Sequence, residues 1–463
     1  MGYASMSLFD LFKDWRVFRS GANAGSQNNP HKPEDPKTRK RFNKRTDYAD
    51  FAFSERPNPY LEAIIKEMVY NSAGGSGISI TPMPTKANGD VDKKLQAQLA
   101  KLWDGYKDSL DSGGRYSWAT INQLIARDLF AGGECFVVEC KSPTFRNELG
   151  VAYMIKGYAS VPFGDLDEYK DGIALDQFGR AYKYRFHDGL QSRHVSAKDV
   201  IHAANFVRSD DTRGFSAVAP ACDLVVEIDN YDKDTSQLVS VSKRVWMWVI
   251  SKKKPAFPDG FPVLHIEGST ADTDVKSFAS NLTNTYSKDH RKNLMRAACA
   301  SVGVGYGATT GEIDGSYSAS RQEMVVAAQR DLARQNQLID QAIRPIYERF
   351  VLHCLSRGLV RYTEGNIFAA RYTAPKREHI DPLKDATATA LKLATNQISL
   401  TEVIAARGED FDVYITHLRD EMRKLQEAGL PPNGVKWEKF LEIQKYIENE
   451  VDRIEEEEKK LAA

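Results

Sequence analysis

Two helical patterns between residues 216 and 355 limit what this chain can fold into. Over residues 216–243, Leu224, Ile228, Tyr231 and Leu238 fall near one face, and Asp223, Glu227 and Asp234 share another. One helix of about 28 residues would be about 42 Å long. A second pattern runs from Ser320 to about Leu355, with Met324, Ala328, Leu332, Gln335, Ile339, Ile343, Ile346 and Phe350 at helical spacing. Ser320 and Glu323 suggest a capping box at its start, and Pro345 should kink it near its end. Between the two lie a β-like patch at 245–268, a further helical stretch at 272–296 and a glycine-rich loop at 303–316. Such an order does not suit a doubly wound sheet. It predicts an elongated, mixed α+β fold that is predominantly helical.

The remainder agrees. Residues 20–45 are polar, contain proline and read as an extended arm. Helical spacing appears at 57–70, 93–106 and 118–130, the last stopped by Gly132-Gly133. Strands are expected at 76–82 and 134–139, and antiparallel β over 151–202, punctuated by Gly172, Gly179 and Gly189. From 381 to 460 helical segments alternate with turns at Gly408 and Gly429. At 463 residues the chain exceeds one compact core, so several domains or an elongated subunit are expected.

Charge and motif content remove most enzymatic classes. The 63 Lys/Arg balance 63 Asp/Glu, whereas a protein that grips DNA through phosphates is normally basic. The imbalance is local: His31 to Arg45 carries net +5, and the last 17 residues, from Ile447, carry net −4. The glycine-rich loop has Glu312 where a phosphate-binding loop needs lysine, and HExxH, GxSxG and paired metal-ligand histidines are missing. The five cysteines form no CxxC and suggest neither zinc nor a disulfide framework, which fits a reducing compartment. No apolar run reaches the roughly 18 residues of a membrane span. No catalysis, cofactor, metal or membrane partner is expected.

Four stretches carry a resemblance. They are ARDLFAGGECFVVE (126–139); LDQFGRAYKYRFHD (175–188) with the following VIH (200–202), Arg213-Gly214 and a helix bearing Asp229 and Tyr231; GYGATTGEIDGSYSASRQEM (305–324), with Ala319 where a serine is usual; and the C-terminal IDPLKDATATA passage, with Asp385 where Glu is usual. In this order they resemble the lambda-like portal proteins, the head-tail connectors of tailed phages. The resemblance covers roughly residues 55–430.

The resemblance implies a ring of twelve copies at one capsid vertex, assembled in the host cytoplasm, through which double-stranded DNA is packaged and ejected. The terminase large subunit, the neck or adaptor proteins, the major capsid protein and scaffold would be its partners. By chain order it implies a flexible basic arm (1–50), a wing (51–215), a stem helix (216–243), a clip (244–269) and a second stem helix (270–300). A channel loop with a long helix and a return to the wing (301–379) and a helical crown (380–463) complete it. A neck adaptor or minor capsid protein is the alternative, and a nuclease would need clustered carboxylates or a metal site.

Several residues admit two readings. Asp223, Glu227 and Asp234 form either a solvated face or a channel wall that repels phosphate and keeps DNA mobile. Lys252, Lys253 and Lys254 are either a charged turn closing a β-hairpin or a clip edge that meets terminase or neck. Trp246 and Trp248 alternate along a strand and suit a core or, preferably, a subunit interface. With five glycines, 303–316 is either a plain connector or a mobile loop whose Thr309, Thr310 and Ser316 touch phosphates. Arg321 is either a surface charge or an inter-subunit ion pair. In Asp272-Thr273-Asp274 and at Asp381 the expectation is helix capping.

Overall fold

A computed structural model describes residues 45–145, 147–188, 191–242, 247–251, 263–267, 274–277, 284–312, 317–362, 364–375, 382–405 and 411–427. Two compact units divide them: 42–228 together with 285 onward, and 229–284.

In the larger unit, helices α1 (Arg45–Ala52), α2 (Pro59–Ala73), α3 (Lys93–Lys107) and α4 (Trp118–Arg127) flank strand β1 (Ser79–Pro82). Their starts follow from local chemistry. Asn58, Asp92 and Ser117 each accept hydrogen bonds from the first free backbone N–H groups of α2, α3 and α4. A π-helical turn, Asp128–Gly132, joins α4 to strand β2 (Glu134–Lys141). β2 lies between antiparallel β3 (Val151–Gly157) and β8 (Val200–Ala204). Strands β4 (Tyr169–Lys170), β5 (Ile173–Leu175), β6 (Ala181–Asp188) and β7 (Gln191–Ser196) make a separate antiparallel sheet. The expected β region is present, split between two sheets.

α5 (Ala219–Ser242) follows, three residues shorter at its start than expected because 216–221 turn through Ser216 and Val218 carbonyls. In the smaller unit, β9 (Met247–Ser251) is the middle strand, parallel to β10 (Val263–Glu267) and antiparallel to β11 (Asp274–Ser277). Two expectations fail here. A parallel pair cannot be closed by a tight turn, so β9 and β10 do not form the hairpin that the sequence suggested. Asp274 belongs to a strand, not to a helix cap. The next helix, α6 (Asn284–Val302), is displaced from the expected 272–296: pairing with β9 claims 274–277, and Gly303 at φ +75° stops the helix late.

Residues 303–312 are not an irregular loop. They hold a short helix, α7 (Tyr306–Thr310). The helix α8 (Tyr317–Leu338) starts before Ser320, so the expected capping box lies inside the helix, and Glu323 instead accepts a hydrogen bond from the Gly307 N–H at 3.4 Å. A π-helical turn, Ile339–Ile343, separates α8 from α9 (Arg344–Ser356), with Pro345 in the first turn of α9. Proline has no N–H and crowds the carbonyl four residues back, which places the irregularity where a kink was expected. β12 (Ala370–Thr373) pairs with β1, and α10 (Pro382–Ala394), α11 (Leu400–Ala405) and α12 (Phe411–Glu427) follow. Pro382 is the first residue of α10, as its sequence suggested. Asp381 and the turns at Gly408 and Gly429 lie outside the described residues.

The main core joins α2–α4, α6 and α9. Its centre is aromatic: Trp103 meets Trp118, Tyr347 and Phe350 edge-on at 5.3, 5.8 and 5.1 Å. Such contacts add about 0.5–1.5 kcal/mol each to the area they bury.

Candidate functional site

Two of the four sequence stretches meet at one buried joint. Gly133, at φ +92°, brings the chain into β2, and Gly214 crosses it so closely that a Cβ on Gly214 would lie 2.0 Å from the Gly133 carbonyl oxygen. Neither position accepts a side chain. Beside this crossing Glu134 is fully buried, and Arg213 is 1% exposed. Glu134 Oε1 accepts hydrogen bonds from Arg213 Nε and Nη2 at 2.8 and 2.5 Å, and Oε2 accepts from the Gly214 N–H at 2.9 Å. His202 Nε2 lies 3.1 Å from the same Oε2. Arg213 also donates to the carbonyls of Asp171, Tyr158 and Val161.

The electrostatics follow from this geometry. Burial raises the pKa of Glu134, but the hydrogen bond with His202 and the Arg213 charge overcome it and hold the carboxyl below its usual range. The guanidinium is further covered by Phe163, 3.9 Å from the ring centre. Each side-chain nitrogen of Arg213 donates to an acceptor within the protein. The joint ties β2, β8 and the two loops before α5 into one piece. The sequence reading missed this pairing, although a signal was there: Glu134 opens the run CFVV, and a carboxylate at the head of a buried apolar strand requires a cation.

A second joint links α6 to α8. Arg334 donates to the carbonyls of Val302 and Gly303 at the end of α6 and pairs with Asp331 at 3.0 Å. Gln335 donates to the carbonyls of Asn71 and Pro375 at 2.7 and 2.9 Å. These contacts fix residues 302–305, all buried, against α8.

The residues singled out in the sequence fall on several elements. Asp223, Glu227 and Asp234 are all exposed on α5. Thr309 and Thr310 are part-buried on α7, where their hydroxyls donate to the Gly305 and Tyr306 carbonyls at 2.8 Å. Thr309 also lines a cleft of about 670 Å³ with Ala63, Tyr70 and Leu124. The expected mobile loop is thus a folded element as far as Glu312. Trp248 lies in β9, opposite Leu264 and Lys276, and Arg321 in the second turn of α8. Ser316, Trp246 and Lys252–Lys254 lie outside the described residues, as do the basic arm up to Lys44 and the acidic terminus.

Among the described residues no group of three or more His, Cys, Asp or Glu could hold a metal ion, and no helix is long and apolar enough to cross a membrane. Cys135, Cys222, Cys299 and Cys354 are buried free thiols, and Cys140 is partly buried.

No curated protein matches the chain. Among solved structures, the neck of a native gene transfer agent particle with C12 symmetry is 12% identical over 84% of this chain and 94% of its own, with a TM-score of 0.43. A chain in the virion of such a particle is 12% identical over 69% and 90%, with a TM-score of 0.40. An HK97 family phage portal protein from Corynebacterium diphtheriae is 8% identical over 58% and 83%, with a TM-score of 0.30. The family of lambda-type phage portal proteins matches residues 25–335, which include the Glu134–Arg213 joint, α5 to α7 and most of α8. The chain belongs to the lambda family of phage portal proteins.

Proposed function

We propose that this portal protein assembles into a ring of twelve copies that forms the channel for packaging and ejecting double-stranded DNA at one capsid vertex. The observation that carries the reading is the family match across residues 25–335. The molecule's chemistry agrees with passage rather than grip: 63 basic and 63 acidic residues cancel, and duplex affinity depends on neutralised phosphates. In this reading 51–215 is the wing, α5 and α6 are the stem, 244–269 is the clip and 380–463 is the crown. Lys252–Lys254 would meet terminase and later the neck, Trp246, Trp248 and Arg321 would lie between subunits, and capsid protein and scaffold would surround the ring. Asp234 is the carboxylate we assign to the channel wall, and Thr309, Thr310 and Ser316 are assigned to it as well. The protein itself would perform no catalysis.

Light scattering and negative-stain microscopy on the purified full chain, alone and with capsid and scaffold proteins, test this. Rings with a central hole are expected. Monomers under every condition would overturn the reading.

A further inference from the structure

We propose that Asp223 and Glu227 of α5 form ion pairs with Lys292 and Arg296 of α6 in a second copy of this chain. The proposal rests on the ring reading and names the contact that closes the ring.

Asp223 and Glu227 are exposed and one helical turn apart. Like charges at this spacing destabilise a helix. Further along the same helix the conflict is relieved, because Asp229 pairs with Lys233 at 2.8 Å. Positions three and four residues from Asp223 and Glu227 are Ala219, Pro220, Val226, Leu224, Asn230 and Tyr231, and supply no cation. Among the described residues neither carboxylate has a salt bridge. An exposed acidic pair alone is only a solvated face; a matching cationic pair elsewhere on the chain makes it half of a contact.

Lys292 and Arg296 provide that match. They too stand one turn apart, on the α6 face that flanks the buried row Met295, Cys299 and Val302. Arg296 is exposed, and its guanidinium lies over the Tyr306 ring at 5.3 Å, which orients it at low entropic cost. Side chains four apart on a helix are about 5–6 Å from each other. Two such pairs can therefore meet in register, carboxylate to cation at both ends. The acidic half and the basic half are different patches of one molecule. A contact between unlike patches is head-to-tail, and it closes into a ring when the rotation allows. A nucleic acid suits the acidic half poorly, because phosphate is repelled there.

The test is a charge-reversal cycle on the full chain, reading the protein concentration at which oligomers form. Asp223→Lys with Glu227→Lys, and separately Lys292→Glu with Arg296→Glu, should each raise that concentration at least about tenfold, since like charges then face each other. All four substitutions together should bring it back to within roughly threefold of the parent. Circular dichroism and melting of the monomers should not change, which separates lost assembly from lost folding. A combined variant that assembles no better than the two halves overturns the pairing. So do reversals that leave assembly intact while less DNA is packaged, because the carboxylates then belong to the channel wall. If the parent chain itself never forms rings, the portal reading fails and this contact with it.

Discussion

Asp128 should make the stability of this protein fall as pH rises. It lies in the π-helical turn between α4 and β2, with its carboxyl against Gly157 and the Cys135 thiol, whose sulfur is 4.0 Å from Oδ2. No salt bridge to Asp128 exists among the described residues. Burial lifts its pKa from 3.8 to about 7, and the charge of Arg127 opposes this only in part. Because the folded pKa is raised, the folded chain binds the proton more tightly than the unfolded chain. The contribution of Asp128 to stability is therefore greatest below about pH 4, falls between about 4 and 7, and is lost above 7. A shift of about 3 units at about 1.36 kcal/mol per unit gives about 4 kcal/mol as an upper bound. Residual water around the part-buried side chain reduces it. Asp128→Asn removes the charge at nearly constant shape. About 2 of those units lie between pH 5 and pH 8, so urea unfolding at the two conditions should show the variant gaining on the parent by roughly 1–2.5 kcal/mol. An identical pH dependence in the two proteins would refute the argument, as would a variant that loses stability at pH 8 but not at pH 5.

Glu134→Ala should destabilise the chain by about 3–5 kcal/mol, because it leaves Arg213 charged in the core; Glu134→Gln should recover only part of this in the same unfolding assay. Arg334→Ala should cost about 2–3 kcal/mol through the Val302 and Gly303 carbonyls and the carboxylate of Asp331, and hydrogen exchange at 300–305 should rise with it. Deleting residues 308–311 should lower the melting temperature clearly, since α7 carries Thr309 against α2 and packs Tyr306 on the core; an unchanged melting temperature would make the segment a passive connector.

Local order was legible in the sequence. The periods of α2, α3, α4 and α8, the strand after Gly132-Gly133 and the start of α10 at Pro382 depend on neighbours within a few residues, and those neighbours are read directly from the chain. The family was legible for a related reason: its motifs retain order even where each is short. Tertiary structure alone decided the rest. That β9 and β10 run parallel depends on where the chain goes between them, which alternation cannot report. That 274–277 is a strand rather than the start of α6 depends on an edge offered by β9. Glu134 and Arg213 are 79 residues apart in sequence, and only the crossing of Gly133 by Gly214 brings them within hydrogen-bonding distance. The glycines of 303–311 read as freedom in the sequence. In the fold, Gly303 gives the turn that lets Arg330 and Arg334 close over the end of α6, because a position without Cβ admits close packing as readily as motion.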